Sequence, residues 1–227
     1  MHPLDNPVWH ALTGAQTTVG DDRNGPLARR YDADVAPFAA LPDAVTPDSW
    51  DALRDLVGPD GVAVLARDTI AEIDGWQCLE RIDGFQMLPG RPLHGPDVDL
   101  VTLGVDDVPA MLDLVARTEP GPFAERTIEL GTYLGVRSDD GRLVAMAGER
   151  MRPPGHGEIS AVCVDPAFRR RGFAAALMRA LIDTIEERGE QPFLHVAADN
   201  DSGIRTYEAL GFTVRTEIEF AVLQAPR

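Results

Sequence analysis

One segment in the second half of the chain constrains the fold more than any other. An apolar, strand-like stretch at residues 158–164 runs into a turn with arginines at 169–171 and Gly172, and an amphipathic pattern follows over residues 172–188. This order predicts a strand, a basic turn and a helix. Because the first helical turn has unpaired N–H groups and partial positive charge, and Gly172 lets a ligand approach closely, the segment predicts a pyrophosphate site. Taken alone, the pattern also fits a solvated basic helix start with a packing glycine.

The surrounding segments predict an α/β chain with a mixed sheet of the α+β type. Strands are expected at residues 99–103, 132–137, 143–150, 193–198 and 212–223, and helices at 106–117, 123–130 and 202–210. The turn Ser138-Asp139-Asp140-Gly141 predicts a hairpin between two of these strands. A strand–helix–strand unit implies one parallel pair within the sheet.

A stretch rich in Pro and Gly at residues 89–96 is interpreted as a linker between two parts. Residues 1–95 are expected to form an N-terminal lobe, and residues 96–227 the domain that carries the chemistry. In the first part the patterns predict a helix at 47–57, with Thr46 as N-cap and Gly58 as the stop, and a strand at 61–66. The stretches 76–81 and 84–88 are expected to form one further strand or two. No chemical motif is found there.

Composition argues against several classes of partner. A formal net charge of −16 disfavours nucleic acid and an anionic membrane surface, because phosphate binding needs clustered Lys and Arg. No apolar run is long enough to span a bilayer, and the N-terminus lacks a secretory pattern. Cys78 and Cys163 each lie in an apolar run, which argues against a disulfide framework and favours a cytoplasmic protein. No metal is expected.

Linked motifs in the second half resemble the GNAT superfamily of N-acetyltransferases. The run Arg169-Arg170-Arg171-Gly172-Phe173-Ala174 fits the family's pyrophosphate loop, Gln/Arg-x-x-Gly-x-Gly/Ala, and Val162, Val164 and Pro166 match the pattern before it. Asn200, Tyr207 and Gly211-Phe212 match later family positions in order and spacing, whereas Gly203 stands where the family usually has alanine. The resemblance covers residues 98–227, and its details are loosely similar to the glycine N-acyltransferase-like branch.

The resemblance implies a GNAT-like fold and an acyltransferase that uses acetyl-CoA. An amine would attack the acyl carbonyl directly, without a covalent enzyme intermediate, and the protein would position the reactants and polarise the carbonyl. The N-terminal lobe could then be a degenerate domain of similar fold that covers the acceptor site. A homodimer is a further expectation, and the acceptor amine is left unidentified.

The same resemblance assigns the site residues. Those assigned to the cofactor are Val162, Cys163, Val164, Arg169, Arg170, Arg171, Gly172, Phe173, Ala174, Ala175, Asn200 and Tyr207. The backbone of the strand should bind the pantetheine arm, and the N–H groups of residues 170–175 should hold the pyrophosphate. Asn200 should contact the arm further along, and Tyr207 should protonate the departing thiolate.

The base that takes the amine proton is open among several residues. Glu158 is the first candidate, because its even spacing from Val162 and Val164 predicts the same strand face. An edge glutamate facing solvent fits the pattern nearly as well. Glu129 and Tyr133 are weaker alternatives, and His156 could relay a proton, although a histidine between glycines is more often exposed. Cys163 is expected in the core rather than as a nucleophile.

Two other functions fit the same sequence. One is a catalytically silent module that binds or senses acyl-CoA, and intact Tyr207 and Glu158 favour the enzyme over it. The other is an interaction protein in which the N-terminal half is the working part. Acyl transfer separates these hypotheses, because only the enzyme would release free thiol from acetyl-CoA when given an amine.

Overall fold

An eight-stranded mixed sheet organises the chain in the computed structural model, which describes residues 2–21, 23–90 and 96–227. The strands of this sheet are β3 Val62–Arg67, β4 Gln77–Pro89, β5 Val101–Thr102, β6 Tyr133–Arg137, β7 Leu143–Glu149, β8 His156–Val164, β9 Gln191–Ala197 and β10 Phe212–Gln224, and β1 Arg29–Arg30 with β2 Ala39–Ala40 forms a two-stranded sheet. The helices are α1 Pro7–Leu12, α2 Pro47–Val57, α3 Val108–Thr118, α4 Phe173–Glu187 and α5 Asp201–Ala209.

The strand order is β3-β10-β4-β9-β8-β7-β6-β5. Strands β8 and β9 run parallel, joined by the crossover helix α4, and the other pairs described in this sheet are antiparallel. The sequence prediction of a mixed α/β fold with one parallel pair is confirmed. The predicted helix at 47–57 is confirmed as well, with the Thr46 hydroxyl accepting the N–H of Ser49 and Gly58 ending the helix at a φ of 82°.

Strands from both halves of the chain share the main sheet. β3 pairs with β10, and β4 lies between β10 and β9. The buried apolar side chains are shared in the same way, because Leu4 belongs to one core cluster with Met151 and Phe193. Within the sheet, therefore, the expected division into lobes 1–95 and 96–227 is not seen, since β4 supplies the strand that separates β9 from β10.

The two faces of the sheet are covered by different elements. Helix α4 packs on one face through Leu177, Leu181 and Ile185. Helix α3 covers part of the opposite face, and beside it the N-terminal segment packs there with Val8 and Phe38. The candidate site lies between these layers, at the edge where β8 ends.

Several predicted elements differ from the structure. The helix expected at 123–130 is a short 3-10 turn, Thr127–Leu130. The stretches 76–81 and 84–88, expected to form one strand or two, form the single strand β4. Helix α1 was not predicted, because its six residues, which begin at Pro7, are too few to show a periodic pattern. The predicted linker at 89–96 lies mostly outside the described residues.

Candidate active site

A cleft opens where the parallel strands β8 and β9 separate. The two strands pair from His156 to Glu158 and no further. Beyond that point β8 pairs with β7 alone, while β9 continues against β4. One backbone edge of residues 159–164 is therefore open, and such an edge can bind an extended ligand as an added strand.

A bulge at Ala161 decides which face each side chain of β8 occupies. Ala161 has a φ of 52°, and the register with β7 shifts beside it. Two residues of β8 then oppose one of β7, which reverses the alternation of side chains. Val162 and Val164 accordingly lie with Ile159 on the α4 side, whereas Glu158 lies on the opposite face.

The turn after β8 ends in an open helix N-terminus. Gly172 is the N-cap of α4, and the first hydrogen bond along the helix runs from the Ala176 N–H to the Gly172 carbonyl at 3.0 Å. The N–H groups of residues 172–175 thus have no partner within the helix. Gly172 has a φ of 80°, and a Cβ there would lie 2.5 Å from Cγ of Pro96, so the position requires glycine.

The arginines of this turn are exposed around the helix N-terminus. Arg169 donates from Nε to the Val164 carbonyl at 3.3 Å, and the Arg171 guanidinium lies 4.8 Å from the ring centroid of Phe168. Arg170 adopts a left-handed backbone with a φ of 62°. Positive side chains and unpaired N–H groups therefore converge on one turn, which favours a bound anion.

A cavity of about 500 Å³ joins the open edge of β8 to this turn. Every residue that the sequence assigned to the cofactor lines it. Cys163 belongs to the core cluster under α3, as expected, and burial raises the pKa of its thiol to about 11. A thiol with that pKa stays protonated at neutral pH, which argues against a nucleophilic role.

Helix α5 brings Tyr207 and Asn200 to the far wall of the cavity. Tyr207 is half-buried against Phe212, with ring centroids 6.2 Å apart, and burial raises the pKa of its phenol to about 12. Asn200 is exposed and caps α5 by accepting the Gly203 N–H at 2.9 Å. Both side chains also line a second cavity.

This second cavity, of about 400 Å³, lies in the opening between β8 and β9. The residues that it shares with the first cavity are Thr118, Val162, Asn200, Ser202 and Tyr207. The two cavities therefore meet at Tyr207. The second contains a carboxylate and an imidazole, from Glu119 and His195, besides the guanidinium of Arg150.

The prediction that Glu158 shares a face with Val162 and Val164 is wrong, because the bulge at Ala161 lies between them. Glu158 is fully buried and does not line either cavity. It accepts from Nε of Arg150 at 2.9 Å and from Nη2 at 2.5 Å, and its Oε1 lies 2.7 Å from Nδ1 of His195. Burial opposes ionisation, but the charge of Arg150 and the hydrogen bonds from both partners bring the pKa of Glu158 down to about 2.

The alternative bases also lie away from the second cavity. Glu129 forms an ion pair with Arg126 at 2.7 Å, which lowers the pKa of its carboxyl. Tyr133 is buried, which raises the pKa of its phenol, and His156 is buried with Nδ1 2.8 Å from the Pro154 carbonyl oxygen.

Sequence reasoning missed Glu119, Arg150 and His195. Glu119 ends α3 in a left-handed backbone with a φ of 47°, and it is exposed. In the described part of the chain its carboxylate has no ion-pair partner. Sequence patterns could not reveal these residues as a group, because α3, β7 and β9 bring them together only in the folded chain.

Two features are absent from residues 2–21, 23–90 and 96–227. No group of His, Cys, Asp or Glu in these ranges is arranged to hold a metal ion. No helix there combines the length and the apolar character that a membrane span requires.

The mixed sheet, its splayed parallel pair and the open helix N-terminus define the class of acyltransferases. A family model described as FR47-like protein matches residues 133–221. The N-alpha-acetyltransferase RimI of Mycobacterium tuberculosis is 38% identical over 101 residues, which are 41% of this chain and 62% of that protein. The [ribosomal protein bS18]-alanine N-acetyltransferase of Salmonella typhimurium is 33% identical over 119 residues, covering 50% of this chain and 80% of that enzyme.

A solved structure resembles the whole chain. The crystal structure of a GNAT-family protein from Novosphingobium aromaticivorans matches with a TM-score of 0.87 and 40% identity, covering 100% of both chains. The chain belongs to the GNAT family of acetyltransferases. This confirms the family predicted from the sequence, while the looser resemblance to the glycine N-acyltransferase-like branch finds no support in these relatives.

Proposed function

We propose that the protein transfers the acetyl group of acetyl-CoA to an amine by direct attack. The observation that carries this proposal is the meeting of two cavities at Tyr207, one beside the open edge of β8 and the N-terminus of α4, the other lined by ionisable side chains. The first cavity has backbone groups that can bind the pantetheine arm and the pyrophosphate of acetyl-CoA, and the second cavity has room for an amine.

The cofactor would be held mainly by backbone groups. The pantetheine arm would form hydrogen bonds with the backbone of Val162 and Val164 at the open edge of β8. The pyrophosphate would accept hydrogen bonds from the backbone N–H groups of residues 172–175. Arg169, Arg170 and Arg171 would add charge-assisted hydrogen bonds. Asn200, at the start of α5, would contact the arm near the second cavity.

Tyr207 would stabilise the sulfur that leaves. With a pKa of about 12 its phenol is protonated at neutral pH and can donate a hydrogen bond to the thiolate as charge develops. Transfer of the Tyr207 proton to a thiolate is unfavourable, because an ordinary thiol has a pKa of about 8.5. Tyr207 therefore stabilises the leaving thiolate first by a hydrogen bond. The carbon–sulfur bond breaks as the carbon–nitrogen bond forms, and solvent restores the tyrosine proton.

Glu119 would take the proton that the amine must lose. It lines the cavity that Tyr207 shares, and its carboxylate is exposed and without an ion-pair partner in the described residues. Glu158 is less suited to this role, because its carboxylate is buried and already engaged by Arg150 and His195. The base must be ionised to accept this proton, so the rate should rise with pH on the acidic side of the pH–rate profile.

The proposal is tested with purified protein, acetyl-CoA and a panel of amines, with free thiol as the readout. The panel includes peptides with N-terminal alanine, because relatives are named for acetylating ribosomal protein bS18 at alanine. Calorimetry with acetyl-CoA is run in parallel. Binding without turnover on any amine would favour the silent acyl-CoA module, and absence of both would overturn the proposal.

Glu119→Gln tests the base directly. We expect a lower rate and loss of the rise on the acidic side of the pH–rate profile. Glu125→Gln is the matched control, since Glu125 is an exposed glutamate of the same connection that does not line the cavity. An unchanged acidic limb in Glu119→Gln would show that another group, or a chain of waters, takes the proton.

A further inference from the structure

The second cavity is lined by an arginine whose guanidinium donates hydrogen bonds within the protein from only two of its three nitrogens. Arg150 follows β7, and its side chain is 11% exposed and lines this cavity. Two of its three nitrogens, Nε and Nη2, donate to Glu158 at 2.9 and 2.5 Å. In the described part of the chain Nη1 has no hydrogen-bond partner. It is also absent from the set of fully buried polar atoms without a partner, so it is accessible to solvent. The solvent-accessible nitrogen of Arg150 is therefore available to a molecule in the cavity.

The guanidinium of Arg150 is held in place by the residues packed against it. Its central carbon, Cζ, lies 4.9 Å from the ring centroid of Phe38, which the N-terminal segment places against the sheet. Glu158 is in turn held by the Met151 N–H at 3.1 Å and by Nδ1 of His195. Because Gln86 donates from Nε2 to Nε2 of His195, the imidazole carries its hydrogen on Nδ1 and donates it to Glu158. A donor held this way loses little conformational entropy when it binds a ligand.

The cavity therefore presents opposite charges to one small molecule. Glu119 lines it with a free carboxylate, and Arg150 supplies the permanently charged cation among its lining residues. Tyr207 marks the side on which the acyl group would arrive. An acceptor with one amine and one anionic group would satisfy both side chains while its nitrogen faces the thioester.

We propose that the acceptor is an α-amino acid whose free carboxylate binds Nη1 of Arg150, a proposal that rests on the proposed acetyl transfer. A hydrogen bond between two charged groups contributes about 1.5–3 kcal/mol, roughly 10–100-fold in affinity, whereas one to a neutral carbonyl contributes less. A peptide N-terminus offers only a neutral carbonyl at the same distance from its amine. The charge on Arg150 thus selects the free amino acid.

The first experiment uses the unaltered protein. Standard amino acids are screened as acceptors with acetyl-CoA. The best acceptor is then compared with its amide, with its decarboxylated amine, and with a dipeptide in which it is followed by alanine. We expect kcat/KM to be about 10–100-fold higher for the amino acid than for the amide or the dipeptide. Equal use of amide and amino acid, or a preference for the peptide, would overturn the inference and leave acetyl transfer itself intact.

The second experiment changes the guanidinium and keeps the charge. Arg150→Lys can still pair with Glu158 but lacks the fork that leaves one nitrogen free. We expect the advantage of the amino acid over its amide, measured as the ratio of their kcat/KM values, to shrink at least tenfold. Arg152→Lys is the control, since Arg152 pairs with Glu190 at 2.8 Å and does not line the cavity.

The two experiments separate the possible failures. If Arg150→Lys lowers transfer to all acceptors equally, the residue is structural and the proposal is wrong. If the variant does not fold, as thermal unfolding would reveal, the comparison of amino acid, amide and peptide on the unaltered protein still decides. If no amine releases thiol and acetyl-CoA does not bind, the proposed function fails before this inference is reached.

Discussion

The two cavities that meet at Tyr207 are built from different materials. The larger one presents backbone groups: the open edge of β8 and the N–H groups at the start of α4. The smaller one presents side chains, among them Glu119, Arg150 and His195, which come from three separate elements. A backbone site depends on local conformation, whereas a side-chain site depends on the whole fold.

This difference predicts different responses to substitution. In the first cavity, only a change of backbone conformation or of charge at the helix N-terminus should abolish binding. In the second, single side chains should alter rate, acceptor choice or stability while acetyl-CoA still binds. Substitutions at Gly172 and Tyr207 test that contrast directly, and two at Glu158 and Glu129, which line neither cavity, limit it. They follow in order of decreasing expected effect.

Gly172→Glu should abolish detectable binding of acetyl-CoA. Its carboxylate would occupy the helix N-terminus, where the pyrophosphate belongs, and would repel it. Calorimetry measures the loss. Gly172→Ala is the control for the strain of a Cβ at a φ of 80°, which also meets Pro96. If alanine abolishes binding as completely as glutamate, strain rather than charge is responsible.

Tyr207→Phe should reduce turnover by about 10²–10⁴-fold while the affinity for acetyl-CoA changes little. The substitution removes the hydroxyl and keeps the ring that packs on Phe212. Single-turnover kinetics measures the chemical step, so that slow product release cannot hide the effect. A variant with full single-turnover rate would assign Tyr207 a packing role only.

Glu158→Gln should lower the free energy of unfolding by about 3–5 kcal/mol, because it leaves the buried Arg150 without its charged partner. The pKa of Glu158 lies near 2, below its ordinary 4.5, so its stabilising contribution is complete above pH 4.5 and is lost as pH falls towards 2. Denaturant unfolding at several pH values should show this loss in the original protein and not in the variant.

Glu129→Gln should change the free energy of unfolding by less than about 1 kcal/mol, since an exposed ion pair contributes little. Arg126 keeps a second partner, Asp32, at 2.7 Å. The acidic limb of the pH–rate profile should also persist. If the acidic limb were lost in Glu129→Gln, Glu129 and not Glu119 would be the base that takes the amine proton.

The contrast between the cavities also explains what the sequence could predict. The predicted anion site follows from consecutive residues, and the strand, the turn at Gly172 and the helix after it were all predicted from residues 158–188. The face of Glu158 was not, because the parity rule assumes a regular strand and the left-handed backbone of Ala161 breaks it. Alanine carries no sequence signal for such a conformation, whereas glycine or asparagine would have.

The N-terminal half illustrates the same limit on a larger scale. Its helix at 47–57 was predicted because Thr46, Pro47 and Gly58 mark both ends locally. The place of β4 between β9 and β10 could not be predicted, since pairing partners so far apart in sequence leave no mark in the strand itself. The buried contact of Phe38 with Arg150 is hidden for the same reason.

The central place of β4 has a consequence for how the chain reaches its native state. This strand is made early in synthesis, but its hydrogen-bonding partners β9 and β10 come from the last part of the chain. Until those strands emerge, the backbone N–H and C=O groups of β4 have no strand to pair with. Because such long-range pairing is costly in loop entropy, folding should be slow and should finish only after β10 is complete. A nascent chain halted before residue 191 would lack both partner strands, would expose both edges of a thirteen-residue strand, Gln77–Pro89, and would be prone to aggregate.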